Sequence, residues 1–335
     1  MADPKTSRLI DAAARPRYHV PRSLSPNRAA WRAFRRNRTA FVAAILLALG
    51  GLLLVVWPLF GRDSISPRLP RALTWSPLTL TDLQFAEPSA EHWFGTDVHG
   101  RDVLSRVIHG ARISLVVGMV GAAVSLVIGV FWGALAGYVG GRLDGWMMRF
   151  VDALYAMPAI VFVVVLVATL QTPLKETLVA RWGTDFGPTA NLLLLFVGLG
   201  AVSWLTMARI VRGQVLSLRE RNFVAASRVL GASHLRILLR HVLPNVWGVV
   251  IVYVTLTIPS VILYESFLSY LGLGVEPPFA SLGYLIADGA AHINAIRSHW
   301  WLIVFPGGAL IGTLLALNLA GDGLRDAWDP REPKD

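Results

Sequence analysis

The sequence predicts an all-α membrane protein with six transmembrane helices, and three observations carry that prediction. Only 16% of the 335 residues are charged and 54% are hydrophobic, whereas soluble globular domains carry about 25% charged residues. Six apolar runs, at 39–59, 113–137, 150–170, 190–210, 246–271 and 301–319, reach the ~20 residues a helix needs to cross a bilayer. Finally, 22 of the 31 Lys and Arg residues fall in alternate intervening segments. Basic residues accumulate on the cytoplasmic side, so both termini are predicted to be cytoplasmic. The net charge of +10 is thereby topological, and it does not form the soluble basic face that nucleic-acid binding requires. Cysteine is absent, which excludes disulfides and thiolate metal sites.

Residues 1–38 form a polar arm ending in "RAFRRNR" at the membrane edge, a cluster suited to anionic headgroups of the inner leaflet. Its upstream part reads as flexible. The run at 39–60 is a retained first span, because its polar leader is too long and its apolar core too extended for a cleavable signal. Residues 61–112 are extracytoplasmic, with six basic and six acidic residues. Within them "EHWFGTDVHGRDVLSRVIHGARISL" gathers His92, Asp97, His99, Asp102 and His109, residue types that ligate divalent metals. The stronger reading is an amphipathic helix at the outer interface. Val103, Leu104, Val107, Ile108 and Ala111 share one face, Gly95 and Gly100 supply turns, and Asp97 is the expected cap.

The membrane core is expected over 113–321, followed by a tail at 322–335. In the second span Gly129, Gly133, Gly137 and Gly141 recur every four residues, which lines up small surfaces for close helix approach. Pro158 and Pro259 fall within the third and fifth runs, where they are expected to bend the helix. Two acids lie inside runs, Asp152 and Glu265, and intramembrane acids are functional candidates. Asp152 is three residues from Arg149, so a pair along one helix is expected. For Glu265, a water-filled path and a hydrogen bond to a neighbouring helix are equally open.

One polar stretch interrupts the apolar pattern inside the loop 213–245. "FVAASRVLGASHLRILLRHVLPN" begins with a short helix bearing small residues and one large anchor, Phe223. Gly231 then ends it in a left-handed turn. The piece that follows places Leu235, Leu238, Leu239 and Val242 at i, i+3, i+4 and i+7, with Arg236 and Arg240 opposite, an amphipathic helix on the inner surface or against the bundle. A short helix projecting from a membrane suits a groove on another protein. The sequence contains neither a G-x-x-x-x-G-K-[ST] phosphate loop nor HExxH. Any nucleotide energy must come from another chain.

This stretch resembles the cytoplasmic "EAA" loop of ATP-binding-cassette import permeases, whose pattern is E-A-A, three residues, Gly and a later Leu-Pro. Ala226 and Ser227 match the two alanines, Gly231 the glycine and Leu243–Pro244 the Leu-Pro, while Ala225 stands where the family has Glu. "HWFGTDVHGRDVLSRVIHGARISL", "FLSYLGLGVEPPFASLG" and "LNLAGDGLRDAWDPRE" further resemble the C-type permease subunit of oligopeptide and dipeptide importers. The resemblance spans about residues 28–332. It implies a type I importer permease fold, with a five-helix core plus an extra N-terminal span, in a bacterial or archaeal inner membrane. Asn222, Phe223, Val224, Ala225, Ala226, Ser227, Arg228, Gly231 and Pro244 would belong to the element that couples to the ATPases. The implied partners are a homologous B-type permease, two ABC ATPase subunits, an extracytoplasmic peptide-binding protein, the peptide and membrane lipid. ATP and Mg would sit on the partner ATPases, with no catalytic residue, metal or cofactor on this chain. Import of a nickel chelate, glutathione or another small solute is the alternative within the family. An ion-coupled secondary transporter and a membrane enzyme using the outer His/Asp cluster are the alternatives outside it.

Overall fold

The computed structural model describes residues 26–60, 76–184, 187–277, 279–293 and 297–328. The expectations for residues 1–25, 61–75 and 329–335 lie outside them. A short amphipathic helix, α1 (Pro26–Arg36), precedes the first span, α2 (Arg38–Phe60). Then follow α3 (Val103–Val139), α4 (Gly141–Tyr155), α5 (Ala159–Trp182) and α6 (Gly187–Arg219). Two short helices, α7 (Asn222–Val229) and α8 (His234–Ile237), lead through a π-helical turn (Leu238–Val242) into α9 (Leu243–Tyr270). The chain closes with α10 (Leu282–Ala291) and α11 (Trp301–Trp328).

Among the described residues six helical segments are long and apolar enough to cross a membrane: Arg38–Trp57, Val103–Val139, Ala159–Trp182, Leu192–Arg219, His234–Tyr270 and Trp301–Trp328. The count matches the sequence prediction, but several boundaries do not. The second span and the expected interfacial helix are one continuous 37-residue helix, ~55 Å long at 1.5 Å per residue against a hydrocarbon core of ~30 Å. Apolar periodicity cannot mark where such a helix leaves the lipid. The third span starts at Ala159, because Pro158 is its N-cap in extended backbone (φ −56°, ψ 119°). Pro158 therefore separates two helices and does not bend one, and residues 150–155 belong to α4. Pro259 does lie inside α9, as Pro173 and Pro306 do inside α5 and α11.

The core is organised around the pair α3 and α6. Ala134 and Tyr138 of α3 pack with Met207, Val211 and Val215 of α6 and with Val246 and Val250 of α9. Gly129, Gly133 and Gly137 make this approach possible. A Cβ on Gly129 would meet Met207, one on Gly133 would meet Val211 and the Arg212 backbone, and one on Gly137 would meet the Arg212 carbonyl and Val215. Gly141 is not part of that seam. It begins α4 at φ +62° with nothing within 4 Å of a Cβ, because α3 ends at Gly140 and the four-residue spacing loses its meaning where the helix stops. At one end of the bundle α1 packs Phe34 against Ala40 and Ala327, so part of the polar arm is built into the fold.

Candidate coupling surface and transmembrane cavity

Only Glu220 and Arg221 separate α6 from α7, and α7 is rooted by a single residue. Val224 is fully buried among Val215, Ile237 and Val242. Asn222, Phe223, Ala225, Ala226 and Arg228 are exposed, and Ser227 is half-buried with its hydroxyl donating to the Phe223 carbonyl (2.8 Å). The helix ends in a Schellman turn. Gly231 N–H donates to the Arg228 carbonyl (3.0 Å), Ala232 N–H donates to the Ser227 carbonyl (3.1 Å), and Gly231 sits at φ +80°. These bonds satisfy carbonyls that a helix end otherwise leaves orphaned. Val229 and Leu230 beside the turn are 88% and 86% exposed, an apolar tip that nothing among the described residues covers.

The segment after the turn departs from the sequence reading. Leu235 and Leu239 are exposed, while Ile237 and Val242 are fully buried. The π turn spaces the buried positions five apart. This segment is the start of the fifth span, with Pro244 in the first turn of α9, where its missing N–H costs nothing. Between α7 and the end of α3 lies an open cleft of about 730 Å³ lined by Tyr138, Val139, Arg219, Glu220, Ala225, Arg228 and His234. Arg219 donates to the Tyr138 and Val139 carbonyls (3.2 and 3.3 Å) and so caps α3 across the cleft.

Asp152 pairs with Arg209 of α6 (2.7 Å) and not with Arg149, and Arg209 also lies over the Tyr155 ring (4.0 Å). Neighbours along the sequence were the wrong place to look because α4 packs its inner side on α6. The same packing creates a pair that sequence reasoning missed. Arg212 donates from Nε and Nη2 to the two oxygens of Asp144 (2.5 and 2.7 Å), the bidentate geometry that favours arginine. Its available signal was Arg212 itself, a cation continuing an apolar helix.

Tyr155 also lines a cavity of about 540 Å³ between the α4–α5 elbow, α6 and α9. Glu265 does not reach it. That side chain is fully buried on another side of α9, accepting from Ser269 Oγ one turn along its own helix (2.7 Å). Ser269 Oγ in turn lies 3.4 Å from Ser281 Oγ, which caps α10 by accepting from Tyr284 N–H (3.0 Å). Glu265 belongs to a serine cluster that fixes the α9–α10 connection.

At that end of the molecule the His/Asp group is structural. Asp102, not Asp97, is the N-cap of α3, accepting from Ser105 N–H (2.8 Å), and it contacts His92 Nδ1 (3.0 Å). Burial pushes the Asp102 carboxyl above the usual carboxylate range, opposed by the Ser105 and His92 hydrogen bonds. Asp97 instead accepts from His99 N–H, Arg101 N–H and Arg101 Nε (2.8, 2.9 and 2.7 Å) and pairs with Arg106, which also reaches Asp288 (3.3 Å). Gly95 and Gly100 make the expected turns, at φ +73° and +70°. No group of three or more potential ligands converges on a metal position among the described residues.

Residues 129–332 match the family model described as "Binding-protein-dependent transport system inner membrane component". The chain is 41% identical over 326 residues to the dipeptide transport system permease protein DppC of Bacillus subtilis, covering 97% of this chain and 90% of that protein. It is 43% identical over 303 residues to the oligopeptide transport system permease protein OppC of Escherichia coli K12, covering 90% of each. A solved structure of the MetNI methionine ABC transporter, in an inward-facing conformation, has a chain that superposes with a TM-score of 0.51 at 22% identity. The match covers 67% of this chain and 97% of that one. It shows the fold.

Proposed function

The chain belongs to the family of binding-protein-dependent transport inner-membrane components, and from that premise we propose that it is a C-type permease of an ATP-driven peptide importer. The relatives named for dipeptide and oligopeptide transport support the cargo. The mechanism rests on α7. It is a short helix with one buried root, a fixed turn at Gly231 and an exposed apolar tip, joined by two residues to α6 and through α8 and the π turn to α9, two of the helices that wall the cavity. On this reading α7 lies in the cytoplasm, seated in a groove of one of two ATPase subunits. A homologous permease completes the membrane portion, and a binding protein delivers peptide on the outside. ATP-driven closure of the ATPases displaces α7, and α6 and α9 carry that displacement to the cavity. ATP and Mg act on the partner subunits, and no step of the hydrolysis falls to this chain.

The test is Gly231→Val. Forcing a β-branched residue to φ +80° costs about 1–2 kcal/mol and loosens the turn without touching the membrane core, since nothing lies within 4 Å. The expected result is normal insertion and normal recovery of ATPase subunits with the tagged chain, ATP hydrolysis that persists, and lost peptide uptake. Wild-type uptake in this variant would overturn the lever assignment. Recovery of the wild-type chain without any ATPase, even after crosslinking through 222–231, would overturn the importer reading.

A further inference from the structure

The cavity between the α4–α5 elbow, α6 and α9, at about 540 Å³, falls within the ~300–1,000 Å³ range of small-ligand sites. Its wall carries hydroxyls at Ser203, Thr206, Tyr253, Thr257, Ser260 and Tyr264 and no charged side chain. These residues lie in the middle of α6 and α9, far along two apolar helices where a polar group toward lipid is costly. By contrast α2, beyond Thr39, has no hydroxyl at all and turns Leu46, Leu49, Leu52 and Val55 outward. The cavity wall is thus rich in hydroxyls where the outward surface of α2 has none.

Their hydrogen bonding leaves that wall able to bind. Ser203, Thr257 and Ser260 donate to carbonyls of their own helices, at Leu199, Tyr253 and Leu256 (2.8, 2.7 and 3.2 Å), and each oxygen keeps lone pairs for an incoming N–H. The hydroxyls of Thr206, Tyr253 and Tyr264 have no hydrogen-bond partner among the described residues, and they can donate to a carbonyl. A neutral wall with both donors and acceptors matches a peptide main chain, whose N–H and C=O groups recur in every peptide. It sets no unpaired charge against a charged side chain, since Arg209, which lies over the Tyr155 ring, is paired with Asp152. An acyl chain would leave the hydroxyls unused.

We propose that this cavity is the part of this subunit's conducting path that touches the cargo, reading the peptide main chain through hydroxyls and passing side chains of either charge. The proposal rests on the peptide-importer reading and deepens it. The chain has no cysteine, so Ser260→Cys or Thr206→Cys, at two exposed wall positions, gives this subunit a single thiol. The complex, with its other subunits made cysteine-free, is placed in liposomes and labelled with an anionic sulfonatoethyl or a cationic trimethylammonioethyl methanethiosulfonate. Uptake is then measured for tripeptides differing only in a central Lys, Ala or Glu.

Unlabelled variants should import all three at similar rates. The anionic label should slow the Glu peptide about tenfold relative to the Ala peptide, and more relative to the Lys peptide, as two like charges ~8 Å apart give at an effective dielectric constant of about 30. The cationic label should reverse the order. Equal slowing of all three peptides, or no effect at full labelling, would overturn the proposal. So would a thiol reached only by a lipid-soluble maleimide, which would place the wall against lipid or beneath the second permease. Thr206→Cys keeps the test available if Ser260→Cys does not assemble. Import without charge discrimination defeats the cavity assignment alone, whereas failure of the unlabelled wild-type complex to import any peptide defeats the parent reading with it.

Discussion

Replacing Gly133 with alanine tests the seam that joins α3 to α6. The added methyl would stand 2.9 Å from Val211 Cβ and 3.0 Å from the Arg212 amide nitrogen, where ordinary contact begins at 3.4 Å, and closer still to the Ala208 carbonyl oxygen. Main-chain atoms in two packed helices cannot swing aside, so α3 and α6 must part locally by roughly 0.5 Å or more. A gap of ~0.5–1 Å forfeits about a quarter to a half of each contact, itself ~0.1–0.2 kcal/mol. Over ~50 atom pairs the loss is about 1–5 kcal/mol, overlapping the usual ~1–3 kcal/mol cost of overpacking, and packing is the main force holding helices together in lipid.

Two other glycines serve as controls. Gly145→Ala meets nothing within 4 Å in an ordinary helical conformation, so it should be neutral or gain ~0.5–1 kcal/mol. Gly141→Ala has the same space but φ +62°, a strain of about 1–2 kcal/mol. Heating the detergent-solubilised variants and following the monodisperse fraction by size exclusion should rank Gly133→Ala at or below Gly141→Ala, with Gly145→Ala at or above wild type. Equal midpoints for Gly133→Ala and Gly145→Ala would refute the seam argument, because the two substitutions differ chiefly in what the methyl meets.

Two further outcomes follow from charged contacts. Asp144→Asn removes half of the bidentate pair with Arg212, whose side chain is 34% exposed; solvent screening keeps the loss near ~1–2 kcal/mol, and a double-mutant cycle with Arg212→Gln should return a coupling of that size. Asp102→Ala should cost about 0.5–2 kcal/mol through the lost N-cap, and Asp102→Asn, itself a good cap, much less. Because burial raises the Asp102 carboxyl above 3.8, the folded state holds that proton more tightly than the unfolded chain. Its contribution is therefore fully present below pH 3.8 and is lost as pH rises through the folded-state value. Hydrogen exchange over residues 92–105 should show the stability of wild type relative to Asp102→Asn falling across that rise and flat above it.

The sequence made the fold legible where a single helix decides its own fate. Span count, the turn at Gly231 and the close-approach glycines at 129, 133 and 137 all follow from local composition and spacing. Partners across helices were not legible. Asp152 finds Arg209, and Asp144 finds Arg212, 57 and 68 residues away, because the packing angle of α4 on α6 sets these distances and no local rule encodes it. The same holds for Asp97 and Asp102. Either can cap a helix by type, but only the chain path through the Gly95 and Gly100 turns decides which carboxylate meets the first helical N–H. The cavity wall was hidden for a related reason: Thr206 and Ser260 share a surface only once α6 and α9 have been rotated against each other.

The most instructive misreading is the register of 234–242, and it yields a test. Leu235, Leu238, Leu239 and Val242 form an apolar face only if the helix stays α throughout. The π turn at Leu238–Val242 lets Ile237 and Val242 share the core five positions apart, and the face then runs on through Val246 and Val250 at ordinary spacing. One residue is in effect inserted, and Leu235 and Leu239 turn outward. Deleting Arg240 would restore four-residue spacing from position 237 to the start of α9. The core positions keep their phase, so insertion and thermal stability should stay within about 1 kcal/mol of wild type. The Gly231 turn, however, would be drawn ~1.5 Å along the α9 axis while α6 still holds the other end of α7. If α7 must sit in register with a partner groove, the deletion will leave ATP hydrolysis intact and remove peptide uptake. Full coupling would mean that the π turn sets nothing beyond the path of the chain.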